Sequence, residues 1–406
     1  MKKLHRAWAV CLGCTLMLLV GGGLAVNAFS VTQPYILSQN GFSNTQTSMI
    51  TTVRAVSYLL CMFLVPVYYQ KLGYRLGAAL ATGFGALSFL LFAMARSLPV
   101  YYLAGAVAGL SYGLGSMIPA TILMTRWFSS HRAVAVGLCS AGTGLATVAF
   151  SPVLSLLITR FSLRVCFFFE AGVCLLAAVL VFVLVRACPE DCGMVPYGTA
   201  ETNSAQARAL QDIHPSPLRW AMLYAGMALL GAIASPGFSH MMILLTTAGF
   251  TGAQASSAVS IFGFALMSGK CAYGAVCDRL GAQRTNWIFG GMLLTGLFLC
   301  VLANLRSSAL MYLSAVLYGG GVPLSTVGLS IWAADFSRPE QLAGRIQRFQ
   351  MCYAVGGLAF SFMPGAFADL TGSYAPSYIV FLLFGVYAIA VVQSTYRLGS
   401  RAAARG

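Results

Sequence analysis

The chain alternates long apolar runs with short polar connections. Twelve runs are long enough to matter: 8–29, 47–69, 77–95, 99–125, 132–158, 165–185, 219–245, 254–276, 285–304, 308–332, 346–368 and 375–396. About twenty apolar residues in a helix cover a hydrocarbon layer roughly 30 Å thick. In lipid every backbone N–H and C=O must be paired within the protein, so these runs predict helices, and the short alternating segments of a membrane β-barrel do not occur. The longest polar connection, 187–218, is rich in Pro, Ala, Gln and Ser, carries Glu190, Asp191, Glu201 and Asp212, and divides the spans six and six. The expected architecture is an all-α polytopic membrane protein with twelve transmembrane helices in two pseudo-symmetric bundles. Residues 1–186 form the first bundle, 187–218 a cytoplasmic linker and 219–406 the second bundle.

Composition removes the soluble alternatives. Of 406 residues, 59% are hydrophobic and only 8% charged, against roughly 45–50% and about 25% in soluble domains. The net charge of +15 would suit a nucleic-acid partner if it formed a patch, but the cations are scattered among short connections, so no nucleic acid is expected. With the N-terminus placed in the cytoplasm, eighteen of the 24 Lys and Arg residues fall on that side. Four (Arg96, Arg160, Arg164, Arg306) fall outside, and Arg54 and Lys270 lie within spans. Such a bias predicts that both termini are cytoplasmic, and the short loops suit a plasma membrane, specifically a bacterial inner membrane. Lys2, Lys3 and Arg6 before an apolar run resemble a secretory leader, but the run is long and eleven more follow, so it reads as the first helix.

Twelve cysteines, most within apolar spans, behave as small hydrophobes rather than as a disulfide framework. Cys188 and Cys192 flank a loop turn without further ligands nearby, so no metal is expected. There is no phosphate-binding Gly-x-x-x-x-Gly-Lys-Ser/Thr loop and no nucleophile–base pair at helical spacing, so neither direct ATP use, nor a cofactor, nor an enzyme is expected.

The two halves repeat. Tyr102-Leu103-Ala104-Gly105 opens the fourth span and Tyr312-Leu313-Ser314-Ala315 the tenth, 210 residues apart. Gln70-Lys71-Leu72-Gly73-Tyr74-Arg75 follows the second span and Asp278-Arg279-Leu280-Gly281-Ala282-Gln283-Arg284 the eighth, 208 apart. Parallel six-helix repeats are a carrier architecture. A monomer is expected, because one chain carries both halves.

Gly274, Asp278, Arg279, Gly281 and Arg284 resemble the signature loop of the major facilitator superfamily. In such a loop Gly274 admits a close helix, Asp278 pairs with or caps a neighbouring helix end, and the basic residues hold the loop at the headgroups, a latch for one access state. Lys71 and Arg75 belong to the first-half copy, which departs from the pattern with Pro66 and Gln70 in place of Gly and Asp. Arg126-Trp127-Phe128, Arg132 and the following Ala133–Leu138 run, with Gly105, Gly109, Tyr112 and Gly113, resemble the oxalate/formate antiporter and monocarboxylate transporter branch.

That resemblance implies secondary transport of a small organic anion, a monocarboxylate or short carboxylate, by alternating access. Exchange against a counter-anion and symport with protons are both open. The branch carries an arginine at the place of Lys270, where its bound carboxylate is thought to pair. It also carries an acid four residues earlier, where this chain has Leu266. The oxalate exchanger's second cation, in the eleventh helix, aligns with Tyr353. The rival readings are an exporter of amphipathic compounds and a non-transporting sensor or scaffold.

An ionisable group within a span costs about 2.5–3.5 kcal/mol on insertion scales, so each asks for a reason. Lys270 reads as a substrate cation or as a lysine snorkelling to the headgroups. Arg54 shares a polar stripe with Ser57, Tyr58 and Cys61, and either lines a pathway or snorkels outward. Asn27, Tyr112, Gln350 and Tyr353 supply hydroxyl and amide groups for a carboxylate. Glu170 pairs with a basic residue near the outer face, Arg164 being the candidate, or carries a proton, or is exposed to solvent. His240, after Pro236-Gly237, is a simple hydrogen-bonded histidine or a pH sensor.

Overall fold

The computed structural model describes residues 5–40, 42, 44–198 and 216–403. Lys2, Lys3 and Arg405, and the linker residues Glu201, Arg208 and Asp212, lie outside the described residues. Among those described, eleven helices are long and apolar enough to cross a membrane and no strand forms beyond one isolated bridge between Phe128 and Tyr197. One of the eleven spans Met49–Met94, 46 residues, which at about 1.5 Å each is more than twice a bilayer core. It is two helices joined at Gly73, where φ is 70° and ψ 166°. The twelve predicted spans are therefore present.

In chain order the first-half helices are α1 (6–40), α2 (44–72), α3 (74–94), α4 (Leu98–Trp127), α5 (Arg132–Arg160) and α6 (Leu163–Leu184). Those of the second half are α7 (217–247), α8 (Gly252–Leu280), α9 (Ala282–Leu305), α10 (Ser308–Asp335), α11 (342–371) and α12 (Ala375–Ala403). The chain divides into two compact units, Met1–Gly198 and Thr199–Gly406. The start of the loop after α6 is fastened to the first unit: the Tyr197 amide donates to the Trp127 carbonyl at 2.8 Å, and its ring meets Trp8 and Phe128.

Each unit is built to the same plan. Gly281, between α8 and α9, has φ 79° and ψ 158°, repeating Gly73 at an offset of 208; both turns need a conformation that side chains with a Cβ resist. Interruptions also recur at matching places. α1 runs as a π-helix over Leu19–Ala28 and α7 breaks at Ser235; α4 breaks at Gly115–Ser116 and α10 runs as a π-helix over Leu324–Gly328. Pro236 explains the α7 break, since it lacks an N–H and its ring crowds the preceding turn. The carbonyls of Ile233 and Gly237 at this break accept hydrogen bonds from Tyr318 (2.6 Å) and Tyr378 (2.7 Å).

The α2–α4 contact is made through glycine. A Cβ at Gly105 would lie 2.9 Å from the Ile50 carbonyl, at Gly109 2.5 Å from the Arg54 carbonyl, and at Gly113 2.9 Å from the Tyr58 carbonyl. Small residues four apart let two membrane helices meet backbone to backbone. The second unit repeats the central contact: a Cβ at Gly319 would lie 2.5 Å from the Phe262 carbonyl. Gly109 and Gly319 are 210 apart, and Arg54 and Phe262 are 208 apart, so the repeat read from the sequence is a repeat of packing.

Candidate functional site

In the first unit the glycine contact fixes which way α2 presents its polar stripe. Ser57 donates to the Ala106 carbonyl on α4 at 2.8 Å, and Tyr58 stacks on Tyr112, ring centroids 4.2 Å apart at 15°. Arg54, one turn before Tyr58, donates from Nη1 to the Ala25 carbonyl at 2.6 Å, and its guanidinium carbon lies 5.2 Å from the Phe29 ring centroid. Ala25 belongs to the π-helical part of α1, where the wider turn disturbs the usual carbonyl pairing and leaves acceptors for side chains. Three expected site residues, Arg54, Tyr58 and Tyr112, thus come together with the main chain of α1. Asn27, two residues beyond Ala25, reaches α5, where its amide donates to the Thr143 carbonyl at 3.4 Å.

In the second unit Lys270 lies ten residues before the end of α8 and is only 6% exposed. A lysine lying along the lipid face would be open in a structure without lipid, so its burial speaks against snorkelling. Its neighbour Gly269 faces α10, where a Cβ would meet the Gly320 carbonyl at 3.0 Å and Pro323 at 3.1 Å. Gln350 on α11 is buried and Tyr353 half-buried. α11 is held against α7 by backbone contacts of Gly231 with the Tyr353 carbonyl and of Gly356 with the Ala228 carbonyl.

The two cations break the repeat. Arg54 stands where the second half has Phe262, which stacks on Phe238 at 4.5 Å. Lys270 stands where the first half has the buried Met62, again 208 apart. Measured from the turn glycine of its own half, Arg54 is nineteen residues away and Lys270 eleven, a difference of about 12 Å of helix.

The remaining expected residues are distributed as follows. Asp278, Arg279 and Arg284 are exposed at the α8–α9 turn, and Gly274 is buried within α8. Lys71 is exposed, whereas Arg75 donates to the Phe182 carbonyl at 2.9 Å and lies 4.1 Å over the Phe182 ring, tying α3 to α6. His240 is hydrogen-bonded through Nδ1 with the Pro236 carbonyl at 2.9 Å and stacks on Tyr374. Glu170 departs from the expected pairing. It is fully buried, neither carboxyl oxygen has a hydrogen-bond partner among the described residues, and Arg164 lies over Phe168 instead.

Two polar groupings escaped the sequence reading. Asn286 on α9 accepts through Oδ1 from Tyr273 on α8 (2.7 Å) and from Trp332 on α10 (3.0 Å), while its Nδ2 has no partner. An asparagine inside the ninth apolar run was the available signal. Arg345 on α11 lies 3.4 Å over the Trp220 ring and donates to Tyr224 at 2.6 Å, both on α7. Its place among loop cations concealed that role.

Comparison with known proteins bears on the family and the fold. The family model of the Major Facilitator Superfamily matches residues 14–346 and again 238–403. Monocarboxylate transporter 13 of Rattus norvegicus is 27% identical over 349 residues, covering 79% of this chain and 76% of that protein. Monocarboxylate transporter 12 of Mus musculus is 24% identical over 401 residues, covering 92% and 82%. The glycerol-3-phosphate transporter of Bacillus subtilis (strain 168) is 21% identical over 403 residues, covering 92% and 89%. Among solved structures, the E. coli fucose:proton symporter FucP superposes with a TM-score of 0.69 at 16% identity, covering 98% and 99% of the two chains. The proton:xylose symporter XylE gives 0.71 at 16% identity, covering 95% and 94%. The structural likeness shows the fold, the family match covers most of the sequence, and the chain belongs to the Major Facilitator Superfamily as an integral membrane transporter, not an enzyme.

Proposed function

We propose that this transporter carries a small organic anion of the carboxylate class by alternating access, with Lys270 and Arg54 as its anion-binding cations. The observation that carries the reading is the placement of two cations inside membrane-spanning helices at positions where the internal repeat has Met62 and Phe262. A cation in such a place is costly unless it has a task, and attraction of an anionic solute is a task that supplies the compensating charge. The relatives named above as monocarboxylate and glycerol-3-phosphate transporters are named for anionic solutes, which agrees with this chemistry.

Each cation has a distinct capability. Arg54 presents a planar fork, one arm of which is engaged by Ala25, so the remaining N–H groups can grip a carboxylate while the orientation stays fixed. Lys270 supplies a single ammonium in a buried setting, where its attraction for a charge is weakly screened. Tyr58 and Tyr112 supply hydroxyl groups in the unit of Arg54, and Gln350 and Tyr353 an amide and a hydroxyl in the unit of Lys270. The plasma membrane, with both termini cytoplasmic, is the setting that the eighteen-to-four distribution of basic residues supports.

The test is a binding screen on the purified protein against lactate, pyruvate, formate, oxalate, acetate and longer dicarboxylates, repeated with Lys270→Ala. Saturable carboxylate binding that is lost in the variant is the expected result. Binding that survives the substitution would give Lys270 a structural role, and a folded protein that binds none of these acids would overturn the carboxylate assignment.

A further inference from the structure

Glu170 is the one acidic side chain that the described residues bury completely. It lies on α6, seven residues after Leu163, within a membrane-spanning helix. Neither oxygen has a hydrogen-bond partner among the described residues. An ionised carboxylate without partners in such a place is far more costly than the neutral acid, which needs only its own proton.

Its neighbourhood offers no compensating charge. The thiols Cys166 and Cys174 stand four residues to either side on the same helix, both buried. The helices packed against α6 contribute Val20 and Leu24 from α1, Phe89 and Phe92 from α3, and Leu154 from α5 to the surrounding core. Among the described residues of this unit no Lys, Arg or His is buried, and Arg164 is turned to Phe168.

A column of rings nevertheless joins this region to the anion-binding cation. The Arg54 guanidinium lies 5.2 Å from the Phe29 ring; Phe29 and Phe92 are 5.2 Å apart; Phe92 and Phe167 are 5.3 Å apart. Phe167 precedes Glu170 by one turn of α6. The rings give a continuous packed contact between α2 and the helix that bears the acid.

We propose that Glu170 is a proton-carrying site of the transport cycle, loaded as the neutral carboxylic acid in the state described here. Its proton is taken from water on one side of the membrane and released to water on the other when the cycle opens its surroundings. A monoanion and one proton then cross together with no net charge. This rests on the carboxylate reading for the identity of the accompanying solute, whereas the protonation of Glu170 does not depend on it.

Two measurements on the full chain decide the matter. First, infrared spectra of the solute-free protein at neutral pH should contain a protonated-carboxyl stretch that is absent from Glu170→Gln and shifts in D2O. If the difference band is missing, or never shifts in D2O, Glu170 is ionised or permanently sealed and the proposal fails. Second, proteoliposomes should accumulate radiolabelled lactate under an inward proton gradient. Glu170→Gln should lose that accumulation at least tenfold while keeping lactate–lactate exchange, which also shows that the variant is folded. Glu170→Asp, still titratable, should keep accumulation with an altered pH profile. Undiminished accumulation by Glu170→Gln would overturn the proposal. A wild-type protein that moves lactate in neither assay would count against the carboxylate reading instead, with the infrared result still deciding Glu170.

Discussion

Arg54 and Ala25 are joined by a 2.6 Å hydrogen bond from the guanidinium of α2 to the main chain of α1, within the stretch where α1 winds as a π-helix. The bond fixes the side chain by one arm. Arg54→Lys should keep a positive charge but lose the fork, because one ammonium cannot orient on Ala25 and grip a carboxylate as a plane at once. Carboxylate affinity is expected to fall by about tenfold. Arg54→Phe, which copies the residue at the matching place of the second half, should abolish binding. Calorimetric titration with the best carboxylate from the screen measures both.

Lys270→Met places on α8 the side chain that the first half carries at the matching position. Burial of a thioether in place of an ammonium relieves the cost of the charge, so the variant should be folded and no less heat-stable than the wild type. It should bind no carboxylate. Lys270→Arg should bind, with a changed preference between mono- and dicarboxylates. Thermal unfolding in detergent read beside ligand binding separates the two effects.

Gly109→Ala introduces a methyl group 2.5 Å from the Arg54 carbonyl, and backbone cannot yield as a flexible side chain does. The α2–α4 contact should open at a cost of about 1–3 kcal/mol, and Arg54 should be displaced with it. Gly83→Ala is the control: that position has nothing within 4 Å of a Cβ. The first variant should show lower thermal stability and weaker anion binding, and the second neither.

Asn286→Leu removes the shared acceptor of Tyr273 and Trp332 and leaves two buried donors without partners. Each such donor costs about 1–3 kcal/mol. Tyr273→Phe should be milder, since Asn286 would still hold Trp332. Comparison of the two unfolding temperatures checks that the asparagine, rather than either ring, is the centre of the cluster.

The length of the apolar runs made the helices legible, and the paired motifs made the repeat legible. Gly73 and Gly281 show why: a tight turn between two membrane helices needs a special residue, and a special residue leaves a mark in the sequence. The polar stripe of Arg54 and Tyr58 was legible for a similar reason, since helical spacing alone puts them on one face. Its partner Ala25 was not, because nothing in an alanine announces that its carbonyl has left the α-helical pattern. The supposed pairing of Glu170 with Arg164 ran against the same geometry. Six residues apart on one helix, the two side chains point to different sides, as three- or four-residue neighbours do not.

The stripe of Gly105, Gly109 and Gly113 has a mechanical consequence. Where large side chains interlock, the separation of two helices can vary with their rotamers. Between α2 and α4 the glycines meet the carbonyls of Ile50, Arg54 and Tyr58, with Ser57 and Cys61 lodged beside them, so the spacing of the two axes is set by main chain and small groups that have no other rotamer to offer. The seam is a fixed spacer, and it sets how near Arg54 is carried to its neighbours.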